Sequence, residues 1–136
     1  LEASGLHITD PSRKSSSVFP DEKGEPLLVL EGFRNGRYIS SSLFRDGSYI
    51  AHTSVSCTLP PFTCTIEKGI PRMIKSPITL PVEFLRSMGD ASLICDGSCL
   101  HLRSILRSGN EISAMKLQLE QTRILEKIVD SFLNSA

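Results

Sequence analysis

Three dipeptides of the kind that closes tight β-hairpins constrain this chain more than any other feature. Asn35-Gly36, Asp46-Gly47 and Asp96-Gly97 each lie between runs of residues that favour strands. Asn-Gly and Asp-Gly suit the type I′ turn, because both of its central residues need a positive φ. The sequence therefore predicts a domain built largely from antiparallel hairpins.

The turns also predict strand registers. The first two give a three-stranded meander over residues 27–55, in which a two-residue loop at Asp46-Gly47 pairs Phe44 with Tyr49. The same geometry at the third turn pairs Leu93 with Leu100.

The third turn also fixes the faces of two cysteines. A two-residue loop at Asp96-Gly97 places Cys95 and Cys99 on opposite faces of the sheet, because side chains alternate along a strand.

A long amphipathic helix is predicted over residues 111–134. Its apolar residues recur mostly at spacings of three and four, and Gln121 and Thr122 interrupt this stripe at its middle. The face predicted to meet water carries Glu120, Arg123, Glu126, Lys127 and Asp130. A shorter helix is predicted over residues 81–89, with Pro81 in its first turn and Gly89 at its end.

Together these elements predict an α+β fold: an antiparallel, hairpin-rich sheet, barrel or sandwich with a short inserted helix and a long C-terminal helix. Residues 27–136 are expected to form one domain. Residues 1–26 form an N-terminal arm rich in Ser, Pro and charge, in which Leu6-His7-Ile8 is expected to add to a sheet edge. The element order is similar to that of pleckstrin-homology-like barrels and of the head of the DNA end-joining scaffold proteins.

Composition argues against several functions. Fifteen basic residues balance fifteen acidic ones, whereas nucleic-acid binders usually carry a basic excess, so no nucleic-acid partner is expected. No apolar stretch is long enough for a transmembrane segment. Neither a Gly-x-Ser-x-Gly motif nor a glycine-rich phosphate loop is present, so we expect neither an enzyme nor a cofactor.

The four cysteines permit three interpretations. Cys57 and Cys64 flank a proline-containing loop and could form a disulfide, as in a secreted protein. A zinc site with His52 and His101 is disfavoured, because only the Cys95-x3-Cys99 pair has suitable spacing. We favour buried free thiols and no metal site, in keeping with an intracellular location in the cytoplasm or nucleus.

The leading functional hypothesis is a non-enzymatic protein-interaction or assembly domain of a larger protein, whose C-terminal helix packs on itself, a second copy or a partner protein. The predicted interface residues are Met115, Leu119, Ile124, Leu125, Ile128, Val129, Phe132 and Leu133. One alternative is a disulfide-bonded extracellular or viral glycoprotein fragment. Another is a lipid- or phosphopeptide-binding module of the pleckstrin-homology type that uses Lys68, Arg72 and Lys75.

Overall fold

The computed structural model describes residues 6–9, 27–46, 48–67, 70–75, 91–106 and 109–135. These residues form an α+β fold, as the sequence predicts. In chain order the strands are β1 (His7–Thr9), β2 (Leu28–Arg34), β3 (Arg37–Asp46), β4 (Ser48–Ser56), β5 (Phe62–Glu67), β6 (Ile70–Lys75), β7 (Ala91–Cys95) and β8 (Cys99–Leu106), and the helix is α1 (Glu111–Ser135).

The strands form one antiparallel sheet with the order β1-β2-β3-β4-β8-β7-β5-β6. β1 pairs with β2 at one edge, which confirms the prediction for Leu6-His7-Ile8. β6 forms the other edge, and no pairing among the described residues joins it to β1. The sheet is therefore open, and of the predicted alternatives a closed barrel is excluded.

The Asn35-Gly36 turn forms as predicted. Arg34 pairs with Arg37 across a two-residue loop, and φ is 55° at Asn35 and 77° at Gly36, as a type I′ turn requires. The predicted register at the second turn is wrong by one residue: Phe44 pairs with Ile50 instead of Tyr49. The observed register places the buried side chains of Phe44 and Ile50 on one face of the sheet.

The third hairpin differs from its prediction by two residues. Leu93 pairs with Leu102 instead of Leu100, because the last pair of this hairpin is Cys95 with Leu100 and the loop between them holds four residues, 96–99. A shift of two keeps every side chain on its predicted face. Cys95 lies in the core beneath the helix and Cys99 on the opposite face, so this part of the prediction is confirmed.

Helix α1 covers one face of the sheet and contacts β3, β4 and β8. It begins after Asn110, whose side-chain oxygen accepts the Ser113 N–H at 3.0 Å, and it confirms the predicted span 111–134 to within one residue. Leu125 and Ile128 are fully buried in the core. The sheet residues fully buried in that core include Leu30, Ile39, Val55, Leu93, Leu100 and Leu102.

Two sequence predictions lie outside the described residues: the short helix over 81–89 and most of the arm over 1–26. Among the residues that are described, no helix is long and apolar enough to cross a membrane.

Candidate functional site

A series of hydrogen-bonded polar side chains lies on the sheet face opposite α1. His52 on β4 and His101 on β8 are only 9% and 7% exposed, and His52 Nε2 lies 3.1 Å from His101 Nδ1. The other ring nitrogen of His101 lies 3.2 Å from Asp96 Oδ2. Three ionisable groups from two strands and one turn are thus linked in series.

The loop of the third hairpin positions Asp96. Its Oδ1 accepts the Ser98 N–H at 2.9 Å and the Cys99 N–H at 2.7 Å, which fixes the carboxylate within its own turn. The Ser98 hydrogen bond, helped by those from Cys99 and His101, outweighs the effect of desolvation and lowers the pKa of Asp96 to about 2. Asp96 is therefore ionised at neutral pH.

Proton positions in this series follow from the acceptor role of the carboxylate. Since an ionised carboxylate only accepts, His101 Nε2 carries the proton directed at Asp96 Oδ2. In a neutral pair of imidazoles, His101 Nδ1 then accepts a hydrogen bond from the Nε2–H of His52.

Three thiols lie at the same end of the sheet. Cys57 follows β4, and its backbone N–H donates to Ser98 O at 3.0 Å. Burial, with the neighbouring thiols of Cys95 and Cys99, raises the pKa of Cys57 to about 12. Burial also raises the pKa values of Cys95 and Cys99, in both cases together with the charge of Asp96.

All four cysteines are free thiols. Cys95 is one of the two thiols that raise the pKa of Cys57, whereas Cys64 lies in the core beneath the helix. A thiol that influences Cys57 is thus that of Cys95, whereas the sequence suggested Cys64 as its partner.

A second polar cluster lies between α1 and the sheet. Gln121 is completely buried, and its Nε2 donates to the Ala51 carbonyl at 3.0 Å. The Thr53 hydroxyl donates to Gln121 Oε1 at 2.6 Å, while Ser41 Oγ accepts from Gln118 Nε2 at 3.1 Å. The glutamine that interrupts the apolar stripe is thus a structural hydrogen-bonding group facing the sheet.

Two arginines at the ends of β2 and β3 attach the first hairpin to α1. Arg34 Nε donates to Glu126 Oε2 at 3.0 Å and Arg34 Nη2 to Thr122 Oγ1 at 2.9 Å. Arg37 Nη2 donates to Asp130 Oδ1 at 2.7 Å. The prediction that Glu126 faces water is wrong, since only 9% of it is exposed. Its ion pair with Arg34 permits this burial.

The predicted interface residues fall into three groups. Ile124, Leu125, Ile128 and Val129 are buried against the chain's own sheet. Met115 is half-buried, and Leu119 is half-buried against the same core. The side chains of Phe132 and Leu133 lie outside the described residues.

The predicted basic cluster is described only in part. Arg72 and Lys75 belong to the edge strand β6, whose side chains are not among those described, and Lys68 lies outside the described residues. A ligand-binding role for these three residues therefore stays a prediction.

The grouping of Asp96, Cys99 and His101 is not among the predictions made from the sequence. The carboxylate, thiol and imidazole ligand atoms of these residues all lie within 4.8 Å of one another. A signal was present, because the three residues fall within six positions around a predicted turn. The usual zinc spacings start from a pair of cysteines, so they do not pick out one carboxylate, one thiol and one imidazole.

The chain matches no protein-family model, no curated protein and no solved structure. Its function must therefore be inferred from its own residues.

Proposed function

We propose that the chain is a non-enzymatic assembly domain that pairs with a second copy of itself through the N-terminal half of α1. The observation that supports this proposal is the contrast between the two halves of the helix. Leu125 and Ile128 of the C-terminal half are buried by the sheet, whereas Ile112 in the first turn keeps 63% of its surface exposed.

Ile112, Met115 and Leu119 lie on one side of the helix, at spacings of three and four residues. Their exposure falls along the series: Ile112 is exposed, Met115 is half-buried, and Leu119 is half-buried against the core. We call these three residues the helix ridge. A second helix that packs against the helix ridge would therefore continue the apolar core of the domain, because Leu119 already belongs to the edge of that core.

Charge favours a second copy as the partner. Along the first half of α1, Glu111 and Glu120 alternate with Lys116 and Arg123. Two such helices in antiparallel orientation can bring the acidic residues of one copy near the basic residues of the other, as a self-complementary interface requires. The net charge of zero also leaves little repulsion between copies.

Sedimentation velocity over a range of concentrations tests this proposal. The wild-type chain is expected to shift from monomer toward dimer as concentration rises, and an Ile112→Glu variant to stay monomeric. Because Ile112 is exposed in the single chain, its replacement is expected to leave the circular dichroism spectrum and the thermal midpoint nearly unchanged.

Phe33→Glu is the matched control. Phe33 is also an exposed large apolar residue, but it lies beside the Asn35-Gly36 turn, where its ring packs on Tyr38 with centroids 5.3 Å apart. This variant is expected to dimerise like the wild type. A monomeric wild type, or a dimer that Phe33→Glu disrupts and the helix-ridge variant does not, would refute the proposal.

A further inference from the structure

We propose that Asp96, Cys99 and His101 form a binding site for a zinc ion. Their ligand atoms lie within 4.8 Å of one another. Zinc accepts carboxylate, thiolate and imidazole ligands at about 2.0 to 2.3 Å, which places neighbouring ligands about 3 to 4 Å apart. Side-chain rotations that shorten the distances between these ligand atoms by about 1 Å would allow all three atoms to bind one zinc ion.

The backbone already presents the three side chains together. Cys99 and His101 are two positions apart on β8, so they point to the same face of the sheet. Asp96 is held over that face by its turn, since Oδ1 accepts the backbone N–H groups of Ser98 and Cys99. Asp96 Oδ2 points toward His101 Nε2, so the proposed oxygen ligand lies next to the proposed nitrogen ligand.

His52 supplies the outer support that a metal-binding histidine usually has. A histidine ligand commonly uses its second nitrogen in a hydrogen bond that fixes the ring, and His101 Nδ1 has such a bond to His52 Nε2 at 3.1 Å. Zinc at His101 Nε2 requires that nitrogen to lose its proton. His101 then carries its proton on Nδ1 and donates to His52 Nε2, so both imidazoles exchange tautomers and both remain neutral.

The mixture of donors selects the kind of metal. Calcium and magnesium prefer sets made only of oxygen ligands, whereas one sulfur, one nitrogen and one oxygen suit zinc. Three protein ligands leave the fourth tetrahedral position to solvent, which Asp96 on the exposed turn allows.

Titration of the reduced, chelator-treated full chain with Co²⁺ and then Zn²⁺ tests the proposal. One equivalent of Co²⁺ is expected to give a thiolate-to-cobalt charge-transfer band, and Zn²⁺ is expected to displace it. Cys99→Ser should abolish the band. It should also weaken zinc binding at least about 100-fold, because even changes outside the ligand set cost about 10- to 100-fold.

Two further measurements separate metal binding from folding. Asp96→Asn keeps a side-chain oxygen for the turn but removes the anionic ligand, so it is expected to weaken zinc binding while the chain stays folded. Nitrogen NMR of the histidines should show His52 and His101 exchanging tautomers when zinc is added, a change that a structural role for the turn would not produce.

Cys57→Ser and Ser98→Ala are the controls, since Cys57 is a neighbouring thiol outside the proposed ligand set and Ser98 belongs to the same turn. Both variants are expected to keep the charge-transfer band. A wild-type chain that binds no stoichiometric Co²⁺ or Zn²⁺ would overturn the proposal. A band that disappears in Cys57→Ser and persists in Cys99→Ser would do so too.

Discussion

Asp96 uses its two carboxylate oxygens for different purposes. Oδ1 closes the turn by accepting the Ser98 and Cys99 N–H groups, and Oδ2 interacts with the buried His101 ring. One side chain therefore links the local geometry of a hairpin to a pair of histidines on two central strands.

The role of Asp96 has a pH dependence with a definite sign. Its pKa in the folded chain, about 2, is below its ordinary value of 3.8, so it stabilises the fold above the ordinary value and ceases to do so as the pH falls toward 2. We expect the wild type to be more stable than Asp96→Asn at pH 7 and this difference to shrink between about pH 4 and pH 2. Urea denaturation at a series of pH values, with a chelator present, measures the difference.

A difference between wild type and Asp96→Asn that stays constant down to pH 2 would contradict this prediction. Glu111→Gln is a suitable control for acid unfolding, since Glu111 is an exposed acidic residue at the start of α1.

The cysteines are expected to react slowly in the folded protein. A pKa of about 12 leaves very little Cys57 thiolate at pH 8, so its alkylation by iodoacetamide should be at least about 100-fold slower than that of glutathione. In guanidinium chloride all four thiols should react rapidly with a thiol reagent. Mass spectrometry after timed alkylation follows each cysteine, and fewer than four reactive thiols in denaturant would contradict the free state of these residues.

At the scale of elements, the hairpin of β2 and β3 is attached to α1 by side chains that flank its turn. Arg34 and Arg37 are directly paired across the strands, which would be unfavourable for two like charges alone. Each arginine, however, meets an acidic residue of the helix, Glu126 or Asp130. The hairpin and the helix therefore stabilise each other.

A double-mutant cycle on Arg34 and Glu126 measures this attachment. Arg34→Met and Glu126→Gln are each expected to lower the free energy of unfolding by about 1 to 3 kcal/mol, because each leaves a largely buried partner without its charge-assisted bond. The coupling energy should exceed about 0.5 kcal/mol. The exposed pair Arg123–Glu120 is the control, and its coupling should be smaller. Equal coupling in the two pairs would contradict the prediction.

Local signals were predicted from sequence more successfully than distant ones. Asn35-Gly36 contains the information for its own turn, and the long helix is evident from its periodicity. The loop of the third hairpin was predicted two residues too short, because the Asp96 side chain accepts two backbone N–H groups and thereby stabilises a wider loop. Glu126 was misplaced because its partner Arg34 lies 92 positions away in the sequence.

The candidate site also contains both locally and distantly specified residues. Asp96, Cys99 and His101 are near in sequence, so their grouping was within reach of sequence analysis. The position of His52 depends on the pairing of β4 with β8, which aligns His52 with Arg103 and Ser54 with His101. No local pattern specifies that register.

At the scale of the whole molecule, the larger of two core clusters joins the two ends of the described chain. This cluster contains Leu6, which precedes β1, Leu125 of α1 and residues of six strands: β2, β3, β4, β5, β7 and β8. β6 is joined to them through the sheet. Strands and helix are therefore expected to unfold together in one cooperative transition.

Leu125→Ala tests this cooperativity. Leu125 is completely buried, so its truncation is expected to cost about 2 to 5 kcal/mol. Circular dichroism and tyrosine fluorescence should report the same transition midpoint in wild type and variant. Ile112→Ala, at an exposed position of the same helix, should change stability by no more than about 0.5 kcal/mol at concentrations where the chain is monomeric. Separate midpoints for the two probes would show that helix and sheet unfold independently.

The pairing of β4 with β8 also sets the order in which the molecule can be completed during synthesis. β4 ends at Ser56, whereas β8, the strand that pairs with its other edge, begins only at Cys99. At about 5 to 20 residues per second, a ribosome needs roughly 2 to 8 seconds to make the residues between them. Throughout that interval the nascent meander presents the edge of β4, a surface to which another nascent chain can add a strand. The time spent on this intermediate, more than the final stability, is what a synonymous change in translation speed between these two strands would alter.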